Sequence, residues 1–309
     1  MMYFFLVFGF FLLIKGADFF VDGSSAVAKR LRIPTLIIGM TIVAMGTSLP
    51  ETSVSVSASI AGKNDLSISN AVGSNIFNLM VVAGLCSVLC PLAVEKEALR
   101  RDFPISVAAA GMLLGIGAYC GEIPRWGGIA LLTAFVLFLY LMVHSAFKAR
   151  SESSPEDDIK ALPMWKCLPF IIGGIAAIAV GGKMVVSGAS DIARTFGMSD
   201  NLIGMTVVAL GTSLPELVTS IVAAKKNELD MALGNVIGSN IFNILFVLGI
   251  ASAISPIGFT RLNRIDTCFL ISVSALVFLF CLPKHKLVRW QGIAMLMIYS
   301  GFATYLFMR

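Results

Sequence analysis

Apolar runs of twenty or more residues follow one another along the chain, separated by short polar stretches. Each run is long enough to cross a hydrocarbon core of roughly 30 Å as a helix. The pattern predicts spans at 2–26, 34–62, 66–90, 103–120 and 126–147, then at 164–193, 199–224, 229–255, 265–282 and 288–307. The polar segment 148–163, which contains SESSPEDD, reads as a cytoplasmic linker between two five-span units, 1–147 and 164–309. The opening MMYFFLVFGFFLLIKGADFF has no basic segment before its apolar run and no small-residue cleavage site after it, so it reads as the first span.

The two units are copies of one another. GMTIVAMGTSLPE at Gly39 to Glu51 returns as GMTVVALGTSLPE at Gly204 to Glu216, identical at 11 of 13 positions. GSNIFN at Gly73 to Asn78 returns at Gly238 to Asn243 with the same offset of 165 residues. Five spans per unit is an odd number, so the second copy enters the membrane from the opposite side. The expected fold class is all-α integral membrane: ten transmembrane helices forming two inverted five-helix repeats, a recurrent transporter plan with its site near the midplane.

Composition agrees, with 57% hydrophobic and 13% charged residues, about half the charged share of a soluble domain. The net charge of +5 does not point to nucleic acid, because Lys and Arg lie mostly in short loops between spans. Counted by side, 15 of them fall on one face and 6 on the other. The richer face is expected to be cytoplasmic, which puts both termini outside a multi-pass cell-membrane protein.

The six cysteines lack metal-ligand spacing and read as small hydrophobes, and the two histidines, His144 and His285, sit at span ends. No enzyme chemistry is expected: a His base, a paired Asp motif and a partnered nucleophile are all missing.

Chemistry concentrates in the repeated motifs. Each GTSLPE puts a Gly and a Pro inside a span, and Pro both removes a backbone donor and clashes with the preceding turn, so the helix should break there. Freed carbonyls at membrane depth are tolerated where they line a cavity, and they are ready cation ligands. Glu51 and Glu216 follow the prolines, and a mid-membrane carboxylate marks a functional pathway unless it is protonated or paired, here with Lys15 or Lys183. Thr47 and Glu51, like Thr212 and Glu216, are spaced i,i+4 and would share a face if the turn stayed helical. Ser74 and Asn78, with Ser239 and Asn243, repeat that spacing. Lys15, Asp18 and Asp22 form a charged group in the first span that either pairs internally or faces water. The converging ligands are all oxygens, which suits hard cations, and two carboxylates balance one Ca²⁺. The residues themselves leave an antiporter or a channel for such a cation.

The duplicated GTSLPE and GSNIFN resemble the α-repeats of the calcium/cation antiporter superfamily, especially its prokaryotic sodium/calcium exchangers. The resemblance implies secondary active exchange of Na⁺ for Ca²⁺ by alternating access, with the first and sixth spans moving against the rest. It also implies a Ca²⁺ site flanked by Na⁺ sites, with no cofactor beyond the transported ions. Carried over by motif position, Glu51 and Glu216 bridge the sites and Thr47 and Thr212 add oxygens. Ser74, Ser239 and the carbonyls of Ala44 and Ala209 complete the outer sites; Ser48 and Ser213 match motif positions, and Asn78 and Asn243 fill the central amide places. Some relatives carry Asp at the position of Asn243, typical of the K⁺-dependent branch, so the amide points away from K⁺ cotransport. A Ca²⁺/H⁺ antiporter is the alternative, since carboxylates carry protons too. The expected partners are the ions and the bilayer, and a monomer suffices for transport.

Overall fold

The computed structural model describes residues 1–62, 64–152, 162–198, 203, 207 and 209–308. Most of the linker and much of the predicted 199–224 span's first half lie outside the described residues, as do Gly204 and Arg309.

The described residues are mainly helical. Helix α1 covers Met2–Leu31, and the next span is built from α2 (Thr35–Ile38), a π turn (Gly39–Val43), α3 (Ala44–Thr47) and α4 (Leu49–Ile60). Helix α5 (Asn64–Phe77) runs through a second π turn, Asn78–Val82, into α6 (Ala83–Leu89). A π turn at Ala98–Asp102 precedes α7 (Phe103–Cys120), so this span starts five residues before its predicted position, and α8 (Arg125–Glu152) ends the first unit.

The second unit repeats the order as α9 (Met164–Thr195), α10 (Ala209–Thr212) and α11 (Leu214–Lys225). Then come α12 (Leu229–Phe242), a π turn at Asn243–Val247, α13 (Leu248–Ile254), α14 (Arg261–Cys281) and α15 (Arg289–Met308). Among the described residues seven helices are long and apolar enough to cross a membrane, and a bent pair, Thr35–Thr47 with Leu49–Ile60, makes an eighth.

Burial separates a centre from a periphery. In Asn64–Leu89 and Leu229–Ile254, 78% of the most apolar window is buried, against 33% for α1, so these two spans form the middle of the molecule. Their close packing relies on missing side chains: a Cβ on Gly238 would lie 2.5 Å from the Cα and carbonyl oxygen of Met40. Outside this core, α1 and α9 lie along one another. Gly9 faces Gly181 and Gly16 faces Gly174, each so close that a Cβ would come within 2.9 Å of the partner's backbone. Backbones at that range gain dense van der Waals contact, which is what holds helices together when lipid removes the hydrophobic drive.

Among the described residues four two-residue strands, which the all-helical expectation omits, tie loops together: β1 (Leu92–Ala93), β2 (Glu122–Ile123), β3 (Ile257–Gly258) and β4 (Lys286–Leu287). β1 pairs antiparallel with β4 and β2 with β3, so each unit's loop pairs with the other unit's.

Candidate functional site

The predicted break is present, with a 48° bend between Thr35–Thr47 and Leu49–Ile60. Ser48 sits at the break with φ −86° and ψ 13°, Pro50 follows in the first turn of α4, and Glu51 stands in that same turn. The second unit matches it: Ser213 has φ −89° and ψ 3°, and Pro215 and Glu216 open α11. A proline in a helix's first turn forfeits no intrahelical bond, so the sequence starts a new helix where it could not continue the old one.

Glu51, Glu216, Thr47 and Ser48 are fully buried and Ser213 nearly so. The break interrupts the helical turn on which a shared Thr47–Glu51 face depended: Thr47 closes α3 while Glu51 lies in the first turn of α4. The contacts run between units instead. Ser48 Oγ donates to Glu216 Oε1 at 2.8 Å, and Ser213 Oγ lies 3.4 Å from Glu51 Oε1 and 3.0 Å from Ser74 Oγ. Thr47 Oγ1 donates toward Asn235 Oδ1 at 3.1 Å, and Thr212 Oγ1 toward Asn70 Oδ1 at 3.4 Å. Asn70 and Asn235 in turn donate to Ser55 Oγ and Ser220 Oγ, at 3.2 and 2.9 Å. Each of these contacts except Ser213–Ser74 has its counterpart 165 residues away; the hydroxyl of Ser239, the equivalent of Ser74, makes no hydrogen bond among the described residues.

Eight buried side-chain oxygens have no hydrogen-bond partner among the described residues, and five of them belong to the repeated motifs: Glu51 Oε2, Glu216 Oε2, Asn78 Oδ1, Asn243 Oδ1 and Ser239 Oγ; the other three are on Ser24, Asn64 and Thr219. Asn78 and Asn243 each begin a π turn, a helical irregularity frequent at functional sites. A buried acceptor left unpaired is costly, and a buried carboxylate more so, unless a positive charge meets it. Lys15 and Lys183 do not supply that charge, since both are exposed and Lys15 pairs with Asp18 at 3.5 Å. Asp18 and Asp22 are also held by Lys226, at 3.3 and 2.8 Å, a cross-unit partner that the first-span group alone did not suggest.

Among the described residues there is no cluster of three or more His, Cys, Asp or Glu. A cation between the two glutamates would therefore complete its shell with neutral oxygens. The carbonyl of Ala44 accepts Ser48 N–H at 3.0 Å and also lies 3.3 Å from the Thr47 hydroxyl. Ala209 opens α10, and its surroundings lie outside the described side chains.

Four residues that spacing arguments passed over, Asn70, Asn75, Asn235 and Asn240, make many of the site's polar contacts. The signal was available, since Asn75 and Asn240 lie inside the duplicated GSNIFN and Asn70 and Asn235 keep the offset of 165.

A duplicated membrane protein with broken helices and paired buried carboxylates has the plan of a secondary cation transporter. The profile of the family described as "Sodium/calcium exchanger protein" matches residues 1–144 and 167–308, one match in each unit. The chain is 40% identical to "Putative antiporter CaxA" of Alkalimonas amylolytica, with 98% of each chain covered. It is 31% identical to "Sodium/calcium exchanger MaX1" of Methanosarcina acetivorans, over 98% of this chain and 97% of that one. The solved sodium-calcium exchanger NCX_Mj, soaked with Na⁺ and Sr²⁺, superposes with a TM-score of 0.85 at 34% identity, covering 97% of this chain and 96% of that one. The protein belongs to the sodium/calcium exchanger family and is a multi-pass membrane protein.

Proposed function

We propose that the protein exchanges Na⁺ for Ca²⁺ across the cell membrane, electrogenically and without K⁺. The observation that carries this reading is the set of unpartnered buried oxygens on Glu51, Glu216, Asn78 and Asn243. Two carboxylates neutralise one Ca²⁺, and the amide oxygens add neutral ligands of the kind a flexible calcium shell accepts. Thr47, Thr212, Ser74, Ser239 and the carbonyls of Ala44 and Ala209 then serve the flanking Na⁺ sites, with Ser48 and Ser213 orienting the carboxylates. When Ca²⁺ leaves, several Na⁺ ions replace it, so the carboxylates are never left uncompensated in the low-dielectric interior. Neutral amides at Asn78 and Asn243 keep the site's charge at two, which is the basis for K⁺ independence.

The ten-span inverted topology, with units 1–147 and 164–309, a cytoplasmic linker at 148–163 and both termini outside, draws support from the pairings between loops. Loops that the topology assigns to one face pair with one another: Lys29 with Glu228 at 3.0 Å, Arg30 with Leu162, and β1 with β4. Those assigned to the other face do likewise: Asn64 with Ser255 at 2.8 Å, Arg125 with Ile254, and β2 with β3. Alternating access by α1 and α9 is supported by their glycine-mediated packing, which makes them one body. A monomer contains both halves of the site.

The test is Ca²⁺ uptake into proteoliposomes of the purified protein. Uptake should follow an outward Na⁺ gradient, be unchanged by K⁺ and be absent with a pH gradient alone. Uptake driven by the pH gradient without Na⁺ would replace this reading with Ca²⁺/H⁺ antiport.

A further inference from the structure

Asn78 and Asn243 offer an ion their amide oxygens only if each amide is turned the right way. Rotating either side-chain amide by half a turn exchanges Oδ1 for Nδ2, and the NH₂ group would repel a cation. Both Oδ1 atoms are buried without a partner, so neither orientation is held from the oxygen end. The NH₂ ends are held. Asn78 Nδ2 donates to Asn240 Oδ1 at 3.4 Å, and Asn243 Nδ2 donates to Asn75 Oδ1 at 3.1 Å.

The orientations of Asn75 and Asn240 are themselves dictated by backbone. Asn75 Nδ2 donates to the main-chain carbonyl of Asn240 at 3.0 Å, and Asn240 Nδ2 donates to that of Asn75 at 3.3 Å. A main-chain carbonyl can only accept, so each of these amides must present its NH₂ to it. That leaves Oδ1 of Asn75 and Asn240 as acceptors, which in turn draws the NH₂ groups of Asn243 and Asn78 and directs their own oxygens away. All four asparagines are buried, so water cannot substitute freely.

We propose that Asn75 and Asn240 are positioning residues for ion selection: each fixes, from the opposite unit, the amide that presents its oxygen to the hard cation. The inference rests on the exchanger reading, in that Asn78 and Asn243 face the ions. The ordering runs crosswise, so each unit's ion-facing amide is set by the other unit, and the two halves of the site must be assembled together. A residue that merely filled space at position 75 would make no difference to which end of Asn243 meets the ion.

The experiment is a double-mutant cycle on Ca²⁺ uptake in Na⁺-loaded proteoliposomes. Asn75→Leu keeps the volume and removes the acceptor; the expected result is an about tenfold rise in the KM for Ca²⁺ with a nearly unchanged maximal rate, the worth of one buried hydrogen bond. In an Asn243→Ala background, which has no amide left to orient, Asn75→Leu should change KM by less than about twofold. Equal effects in the two backgrounds, or an unchanged KM for Asn75→Leu alone, would overturn the positioning role. If Asn243→Ala itself keeps the wild-type KM, the ion-site reading falls, and this inference with it. Should Asn75→Leu fail to fold, Asn75→Ala carries the same cycle, because alanine also lacks the acceptor and leaves room to pack.

Discussion

Replacing Gly16 by Val tests the close packing of α1 on α9. A Cβ at position 16 would lie 2.9 Å from Gly174 O, Ala177 Cβ and Ile178 N, where ordinary contact begins at 3.4 Å. The deficit is about half an ångström, and two of the three atoms are backbone, so no rotamer change relieves it; the helices must separate. Overpacking of this kind costs about 1–3 kcal/mol, and valine's two γ-methyls put it at the upper end. Helix propensity returns only a few tenths of a kcal/mol when Val replaces Gly. The net expectation is a loss of about 2 kcal/mol, read by unfolding the purified protein in mixed micelles. The same substitution at Gly115, where a Cβ would meet nothing within 4 Å, should change stability by less than about 0.5 kcal/mol. The clash is reciprocal, since a Cβ at Gly174 would lie 2.8 Å from Gly16 O, so adding Gly174→Val to Gly16→Val should cost well under half as much again. Gly16→Val as stable as Gly115→Val, or strict additivity of Gly16→Val and Gly174→Val, would refute the reasoning.

Glu51→Gln and Glu216→Gln should each abolish Na⁺-driven Ca²⁺ uptake while the protein stays folded, because each removes half the charge that offsets the ion; near-normal uptake by either removes the glutamates from the site. Lys226→Ala breaks partly exposed bridges to Asp18 and Asp22, so its effect on the apparent Ca²⁺ affinity should stay within about fivefold, matching at most about 1 kcal/mol for such pairs. A larger change would mean that this tie of α1 to the loop after α11 controls the conformational equilibrium. In a background lacking exposed Cys120 and Cys268, a cysteine at Ser151 should be labelled from the cytoplasm and one at Tyr119 from outside; labelling of both from one face would break the inverted topology.

The hydrophobic pattern and the repeat made the helical order legible, and the Gly–Pro pairing made the break at Ser48 legible, because both are local properties of the chain. The identity of the partners was not. A repeat shows that Ser48 and Ser213 are equivalent, but not that Ser48 reaches Glu216 rather than Glu51, since that depends on how two copies cross in space. The same limit hid Lys226 as the counter-charge for Asp18 and Asp22. The glycines at 9, 16 and 23 and at 174, 181 and 188 recur every seventh residue, a spacing that places them on one helix face; that seam could have been read from sequence but carried no chemistry to draw attention. Asn75 and Asn240 were visible within GSNIFN, yet their role exists only in the crosswise bonding between units. The loop strands gave no pattern at all, being two residues long.

The most direct test of the ion site is divalent-ion density in crystals of the protein soaked with Ca²⁺ or Sr²⁺ at low Na⁺. The account predicts one divalent peak between Glu51 and Glu216, bound also by the Asn78 or Asn243 oxygen and displaced when Na⁺ is raised. Crystals in which the glutamates stay ion-free under these conditions, or in which the divalent ion binds elsewhere, would contradict it.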